Sequence, residues 1–209
     1  MTILDNYLRI KSEVEVYNDK KIVVVSKGHS IDKIKPLLES GHVHFGENRV
    51  QEAIVKWKDL RSKFNNVKLH LVGGLQSNKA NEAISFFDYI HSLDNERLAK
   101  ILSDLEDINQ KKIKYFIQVN LGQETQKRGI SDEHLKDFID YCHSDLKLNI
   151  IGLMCIPPDN QDPSLYFEKL SILNKKFSLS DLSMGMSLDY KIALKYNATY
   201  LRIGRSIFS

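Results

Sequence analysis

The chain has 209 residues, of which 42% are apolar and 27% are charged, and its formal net charge at pH 7 is +3. This length fits one domain over residues 1–209 with a substantial core, and the charge is too small and too scattered to indicate a nucleic-acid-binding surface. Two cysteines, Cys142 and Cys155, are too few for a disulfide framework or a zinc site, and no apolar run is long enough to span a membrane. We therefore expect a cytoplasmic protein that binds neither nucleic acid nor membranes.

Eight short runs rich in β-branched and aromatic residues recur along the chain and predict strands. In chain order they are IVVVSK (22–27), HVHFGEN (42–48), KLHLVG (68–73), YIHSLD (89–94), KYFIQVN (114–120), LNIIGLMC (148–155), LSMGMS (182–187) and YLRIGRSIF (200–208). Stretches between these runs carry apolar residues at helical spacing. They are IDKIKPLLES (31–40), VQEAIVKWKDLRSKF (50–64), NERLAKILSDLEDI (95–108), DEHLKDFIDYC (132–142), SLYFEKLSILNKKF (164–177) and LDYKIALKYN (188–197).

The alternation of strands and helices predicts an α/β fold with parallel strands, because each helix returns the chain to the same end of the sheet. Eight such units favour closure into a (β/α)₈ TIM barrel, and an open doubly wound sheet is the alternative. The chain continues only briefly after the eighth predicted strand. We expect the amphipathic segment before the first strand to fill the place of the last helix, with its apolar face formed by Ile3, Tyr7, Leu8, Ile10 and Val14.

Lys27 closes the first predicted strand. Side chains alternate along a strand, so Val23, Val25 and Lys27 share one face. If both valines point into the barrel, the amine lies at the end of the barrel where active sites of this fold are found, and a carbonyl compound could react with it to form an imine. A strand-end lysine that simply reaches water is the alternative.

The ends of strands seven and eight are where this fold commonly binds phosphate. Ser187 can cap a helix that opens at Leu188, and unpaired amides at a helix start suit an anion. On the eighth strand Arg202 and Gly204 share a face, whereas Arg205 lies on the other face or in the following loop. Together with the lysine on strand one, these positions favour a ligand that carries both a carbonyl group and a phosphate.

The motifs form a recognisable set. They are VVSK, HFGENRVQEA, HLVGGLQSNK, HSLDNERLA, QVNLGQETQKRGI, GLMCIPP, LSMGMSLDY and RIGRSIF, in this order between residues 22 and 208. This set resembles the pyridoxal phosphate homeostasis protein family, which is similar to the barrel domain of bacterial alanine racemase. The resemblance implies a single-domain TIM barrel of the alanine racemase N-terminal-domain type that binds pyridoxal 5′-phosphate (PLP).

The resemblance implies six cofactor-binding positions, which are Lys27, Asn48, Ser187, Arg202, Gly204 and Arg205. Lys27 would hold PLP as a Schiff base, and Asn48 would contact the side of the ring that carries the hydroxyl. Ser187 would hold the phosphate with the backbone amides around Gly204 and Arg205. Arg202 would face the pyridine nitrogen, where a guanidinium disfavours ring protonation and makes the ring a weaker electron sink. We therefore expect no catalytic residue and no strong chemistry.

Two positions depart from the family pattern. Arg205 stands where a threonine or similar small residue is usual, and Gly28 stands where a bulkier residue is common. Loss of the threonine hydroxyl removes one phosphate contact, which Arg205 could replace with a charge-assisted hydrogen bond.

Other polar residues have structural explanations. His42, His44 and Glu47 lie close in sequence, but no further ligand is patterned around them, so we expect no metal. His70 is expected to be a satisfied core group rather than a general base. Cys155 is expected to be a buried apolar filler, because no activating base is evident beside it.

The segment after the third predicted strand has two possible interpretations, a structural one and a ligand-binding one. Gly73 and Gly74 are most simply a tight turn, although they could let a ligand approach. Residues 76–79 either cap a helix or line the cofactor mouth.

The preferred function is that of a PLP carrier in vitamin B6 homeostasis, which binds the free cofactor without strong catalysis and passes it to PLP-dependent apo-enzymes. The alternative is a PLP-dependent amino-acid racemase or another weakly active PLP enzyme. Alanine racemase uses a second domain that supplies a tyrosine, so two-base proton transfer lacks an obvious second base here. A Schiff-base aldolase is disfavoured by analogy of fold, because aldolase lysines usually lie on a later strand. A monomer is expected.

Overall fold

The computed structural model describes residues 2–122 and 128–209. Its parallel strands form a closed barrel in chain order, β1 (Lys21–Val25), β2 (His44–Glu47), β3 (Lys68–Leu71), β4 (Tyr89–Leu93), β5 (Lys114–Gln118), β6 (Ile150–Met154), β7 (Asp181–Ser183) and β8 (Tyr200–Ile203). Because β1 pairs with both β2 and β8, the TIM barrel predicted from the sequence is confirmed and the open sheet is excluded. Residues 123–127 of the motif QVNLGQETQKRGI lie outside the described residues.

Helices alternate with the strands around the barrel. They are α1 (Ile3–Glu15), α2 (Ile31–Glu39), α3 (Val50–Lys63), α4 (Ala80–Phe86), α5 (Glu96–Asn109), α6 (Leu135–Asp140), α7 (Pro163–Lys176), α8 (Tyr190–Lys195) and α9 (Arg205–Phe208). Short 3₁₀ turns, Ser77–Lys79 and Asp132–His134, precede α4 and α6, and a π-helical turn, Tyr141–Asp145, follows α6. None of the helices in these described parts of the chain has the length and apolar character that crossing a bilayer requires.

Helix α1 fills the gap in the outer ring, as the sequence predicted. It packs against α2 on one side and α9 on the other. Asn6 donates through Nδ2 to the backbone carbonyls of Ile207 (3.2 Å) and Ser209 (3.1 Å). The prediction that Leu8 belongs to the apolar face of α1 is wrong, because Leu8 is 48% exposed.

The apolar core has two parts. The larger part lies between the strands and the surrounding helices. The smaller part fills the inside of the barrel and consists of Val23, Tyr89, Phe116, Met154 and Tyr200. Val23 therefore points inward, as the strand alternation required, and this places Val25 on the inward face above it.

Several predicted element ends differ from the structure. Strand β1 ends at Val25 and not at Lys27, and β8 ends at Ile203, after which residues 205–208 form a helix instead of more strand. Helix α8 begins at Tyr190, two residues later than expected, and α4 was not predicted because its seven residues give little periodic signal. Helix α2 continues through Pro36, because Ile34 and the leucines beside the proline are buried on the barrel.

Candidate functional site

A cavity of about 800 Å³ opens at the carboxyl ends of the strands. All six residues implied by the resemblance line it, namely Lys27, Asn48, Ser187, Arg202, Gly204 and Arg205. They come from the segments that follow β1, β2 and β7 and from β8 and the start of α9. Parallel strands deliver their carboxyl ends to one face of the barrel, so residues far apart in sequence meet here.

Lys27 reaches this cavity from a turn rather than from the strand itself. The turn is closed by the backbone N–H of His29, which donates to the carbonyl of Ser26 at 3.2 Å, and Gly28 adopts a positive φ of 71°. Val25 lines the same cavity, so the inward face of β1 continues into it. Among the described residues the ammonium of Lys27 has no hydrogen-bond or ion-pair partner, which leaves the amine available to a ligand.

A buried carboxylate supports the turn that carries Lys27. Glu47 has no solvent exposure, and its Oε1 accepts from Ser26 Oγ (2.7 Å), Lys56 Nζ (2.9 Å) and Trp57 Nε1 (3.0 Å). Lys56 also donates to the backbone carbonyl of Ser26 at 2.7 Å. This role was not predicted from the sequence. A glutamate at the end of a predicted barrel strand, beside the proposed ligand residue Asn48, was the available signal.

Asn48 lines the cavity, and the backbone of Gly73 passes very close to the backbone of Asn48. A Cβ added to Gly73 would lie 2.9 Å from Asn48 Cα and closer still to its carbonyl oxygen. Gly73 also accepts from Ser92 Oγ through its carbonyl at 2.7 Å. The glycine is thus required by protein packing next to the site. Gly74 instead faces the side chain of Arg128.

The segment after β7, where phosphate binding was predicted, does not form the expected helix cap at Ser187. Ser187 is not the N-cap of α8, whose N-cap is Asp189. Its Oγ accepts from the backbone N–H of Ser206 at 3.1 Å, in the first turn of α9. Ser187 therefore joins the end of β7 to the helix that follows β8, and both segments reach the cavity together.

Two glycines in these segments, Gly204 and Gly185, allow close contacts that a side chain would block. A Cβ on Gly204 would lie 2.9 Å from the carbonyl oxygen of Val25, so Gly204 lets β8 pass close to β1. Gly185 has a φ of 88°, and a Cβ there would lie 2.7 Å from Ala193 Cβ on α8. Gly185 is therefore a position where β7 and its following segment pack closely against α8.

Arg202 is a cation held inside the barrel by neutral acceptors. It is 5% exposed, and it donates through Nη1 to Ser183 Oγ (2.7 Å) and through Nη2 to the carbonyl of Cys155 (2.9 Å). No carboxylate of the described residues forms an ion pair with it, and burial lowers the pKa of the guanidinium. A negatively charged or electron-rich ligand would therefore be favoured beside it.

Cys155 lies at the same place but is not a nucleophile. Its side chain is buried, and burial raises the pKa of the thiol to about 12, so the thiol stays protonated. The expectation of an inert filler agrees with this position, and its carbonyl acts as an acceptor for the arginine.

His29 is a site residue that the sequence analysis did not identify. Its ring stacks on Phe208 with a centroid distance of 4.0 Å and an interplanar angle of 21°, and both residues line the cavity. Burial, with the charges of Lys33 and Lys56, lowers the pKa of His29, so the imidazole is neutral at pH 7. Its position two residues after Lys27 was the signal in the sequence.

The remaining candidates lie away from the cavity. Within residues 2–122 and 128–209 no group of three or more His, Cys, Asp or Glu side chains is arranged to hold a metal ion. His70 is fully buried and bonds to His44 and His91. Residues 76–79 form a 3₁₀ turn that does not line the cavity.

The donor set defines what the cavity suits. One unpartnered amine, a buried guanidinium and a hydroxyl beside backbone amides surround a space of about 800 Å³. An amine of this kind condenses with an aldehyde, and the cationic groups and amides suit phosphate oxygens. The residues present therefore fit a small phosphorylated carbonyl compound.

The chain is similar to known proteins in both sequence and fold. The sequence profile described as "Alanine racemase, N-terminal domain" matches residues 2–209. The chain is 33% identical over 208 residues to the pyridoxal phosphate homeostasis protein of Haemophilus influenzae, covering 95% of this chain and 88% of that protein. The structure of PipY of Synechococcus elongatus with PLP bound has a TM-score of 0.92 at 30% identity, with 100% of both chains covered. An alanine racemase of Clostridium difficile (TM-score 0.76, 15% identity, 99% of this chain and 56% of that chain) is alike in fold.

Proposed function

The chain belongs to the pyridoxal phosphate homeostasis protein family, and from this membership we propose that it binds PLP and acts in vitamin B6 homeostasis. The observation that carries the proposal is the amine of Lys27, which has no partner among the described residues and opens onto the same cavity as Arg202 and Ser187. PLP supplies an aldehyde, which condenses with a primary amine with loss of water, and a pyridine ring that can withdraw electrons.

Each of the six predicted site residues has a proposed part in holding the cofactor. Lys27 is the amine that binds the aldehyde carbon, and Asn48 contacts the hydroxyl side of the ring. Ser187 and the backbone amides around Gly204 and Arg205 hold the phosphate. This assignment is supported by the meeting of these positions at one cavity with cationic and neutral donors.

Arg202 is proposed to face the ring nitrogen and to limit the chemistry of the bound cofactor. A guanidinium only donates hydrogen bonds, so it favours an unprotonated nitrogen and a weaker electron sink. The main activity is then to hold a reactive aldehyde safely and release it to PLP-dependent apo-enzymes. We propose a monomer in the cytoplasm, where the buried free thiols of Cys142 and Cys155 would stay reduced.

One observation favours the alternative of a weakly active PLP enzyme. His29 places a neutral imidazole in the cavity two residues from Lys27, and it could accept a proton from a bound amino acid. A racemase would need a second base on the opposite side of the substrate. A single base such as His29 supports only a slow, incidental reaction.

The test is covalent trapping. Protein incubated with PLP should absorb in the visible, and borohydride should fix the cofactor to one peptide that contains Lys27. The Lys27→Ala variant should lose the adduct, whereas Lys33→Ala, which changes an exposed lysine of α2, should keep it. An adduct that survives in Lys27→Ala would contradict the proposal.

Catalysis is tested on the same preparation. Incubation with single enantiomers of several amino acids, followed by chiral chromatography, should show at most slow racemisation. Enzyme-like turnover that disappears in His29→Ala would instead support the alternative.

A further inference from the structure

A file of hydrogen-bonded side chains runs through the inside of the barrel to Arg202. His44 Nδ1 and His70 Nε2 are 2.9 Å apart, His70 Nδ1 and His91 Nε2 are 2.9 Å apart, and His91 Nδ1 lies 2.7 Å from Ser183 Oγ. Arg202 Nη1 then donates to the same oxygen at 2.7 Å. The file starts on β2 at the amino-terminal end of the barrel, crosses β3 and β4, and ends on β7 and β8 at the cavity.

The guanidinium at one end of the file determines which group donates and which accepts in each hydrogen bond. A guanidinium has no acceptor, so Ser183 Oγ must accept from Arg202. The hydroxyl proton of Ser183 then has His91 Nδ1 as its acceptor among the described residues. It follows that His91 carries its proton on Nε2 and donates to His70, and that His70 in turn donates from Nε2 to His44.

The surroundings keep the file neutral. His70 and His91 have no solvent exposure, and burial lowers the pKa of both imidazoles well below the ordinary value. The Arg202 guanidinium further lowers the pKa of His91. A neutral ring with its proton on Nε2 presents a lone pair to Ser183, and this keeps a serine lone pair turned toward the arginine.

We propose that His91, acting through Ser183, is a positioning residue that holds the Arg202 guanidinium toward the ring-nitrogen side of the cavity. Without an acceptor at the place of Nδ1, the buried hydroxyl proton of Ser183 has lost its partner, and the serine side chain is no longer fixed in the orientation that accepts from Arg202. Arg202 would then keep only one of its two fixed contacts, the bond to the carbonyl of Cys155. The proposal rests on the proposed function, because it assumes that the cofactor ring lies against Arg202.

The first experiment needs no cofactor. Long-range ¹H–¹⁵N NMR spectra of the ligand-free protein, with side-chain ¹⁵N labelling of histidine, report which ring nitrogen carries the proton. We expect Nε2 to be protonated and Nδ1 unprotonated in His44, His70 and His91. A proton on Nδ1 of His91 would overturn the proposal, whatever the protein binds.

The second experiment compares two variants that separate the two bonds of His91. The amide of His91→Asn lies near the place of Nδ1 and retains an acceptor for Ser183, whereas the amide of His91→Gln lies near Nε2 and retains only the donor to His70. We expect His91→Gln to change the visible absorption maximum of bound PLP and to weaken its binding roughly tenfold, since a hydrogen bond to a charged group is lost. His91→Asn should stay close to the parent in both measurements.

Equal effects in the two variants would show that His91 acts only by packing and would overturn the proposal. Denaturant midpoints of both variants control for loss of fold. Borohydride trapping at Lys27 is measured on the parent, and its failure counts against the proposed function alone. Successful trapping with a spectrum that neither variant changes counts against the role of His91.

Discussion

Ser26 donates through its hydroxyl to Glu47 Oε1 at 2.7 Å, so the residue before Lys27 is tied to a fully buried carboxylate. The same oxygen accepts from Lys56, whose side chain is only 13% exposed. The position of Lys27 therefore depends on a buried ion pair whose two residues do not line the cavity. Neither Glu47 nor Lys56 would be identified as important from the lining of the site.

Removal of Lys56 should destabilise the protein. In Lys56→Met the charge of Glu47 stays buried without its cation, and breaking a buried pair in this way costs about 3 kcal/mol in the free energy of unfolding. Urea unfolding measures the loss. Lys100→Met, which removes the exposed pair with Asp104, should leave the midpoint unchanged. A midpoint for Lys56→Met equal to that of the parent would show that the buried pair of Glu47 and Lys56 does not stabilise the fold.

Substitution of Gly73 should act on the site through Asn48. The added methyl group of Gly73→Ala meets the backbone of Asn48, so we expect weaker PLP binding and a loss of about 1–3 kcal/mol in unfolding free energy. The neighbouring Gly74→Ala is the matched control. Its Cβ would approach Arg128 Cζ at 2.8 Å, and this flexible side chain can move away. Similar affinities for PLP in both variants would contradict the proposed support of Asn48.

The stability of the protein should fall as the pH is lowered from about 6.5 to 4. Burial lowers the pKa of His42 to about 4, against an ordinary value of 6.5. Between these values the unfolded chain binds a proton that the folded chain does not, so unfolding is favoured as the pH falls, by roughly 3 kcal/mol over the interval for this histidine. Below pH 4 both states are protonated and the contribution stops changing.

The His42→Gln variant isolates that contribution. Glutamine can still donate to the carbonyl of His44, which His42 Nε2 bonds at 2.8 Å, but it does not titrate. Urea midpoints between pH 7.5 and 4 should fall less steeply for the variant than for the parent. Parallel curves would mean that the pKa of His42 is the same in the folded and the unfolded protein.

Arg205 should supply the phosphate contact that a threonine gives in the family pattern. We expect Arg205→Ala to weaken PLP binding roughly fivefold, a modest loss because the side chain is exposed. Arg205→Thr should restore most of the affinity through its hydroxyl. The affinity of the parent should also decrease with added salt more than that of Arg205→Thr, because only the parent uses a charge there. Full affinity in Arg205→Ala would show that the backbone amides suffice.

The barrel and the location of the amine could be predicted because both follow from local periodicity. Eight alternating units indicate closure, and the two-residue repeat puts Val23 and Val25 on the inward face of β1, from which the following turn brings Lys27 to the cavity. Ser187 was placed correctly at the cavity, but the predicted cap of a helix opening at Leu188 was wrong. Ser187 instead bonds to Ser206 in the first turn of α9, and a contact between two segments this far apart cannot be seen in the local spacing of either.

The supporting networks could not be predicted for the same reason. His44, His70, His91 and Ser183 lie on four different strands and are spread over most of the chain. Each one taken alone is a polar residue on a short strand, with nothing in the local sequence to name its partner. Only the register of the closed barrel brings their ring nitrogens and hydroxyl into one line.

The pairing of β1 with β8 sets the order in which the molecule can be completed. Lys21 is the register partner of Tyr200, so one edge of the first strand finds its neighbour only after almost all of the intervening sequence is in place. A fold that depends on contacts this distant along the chain assembles slowly, and a nascent polypeptide on the ribosome would keep that edge open until late in synthesis. Protection of the β1 amides in pulsed hydrogen exchange should accordingly appear among the last during refolding.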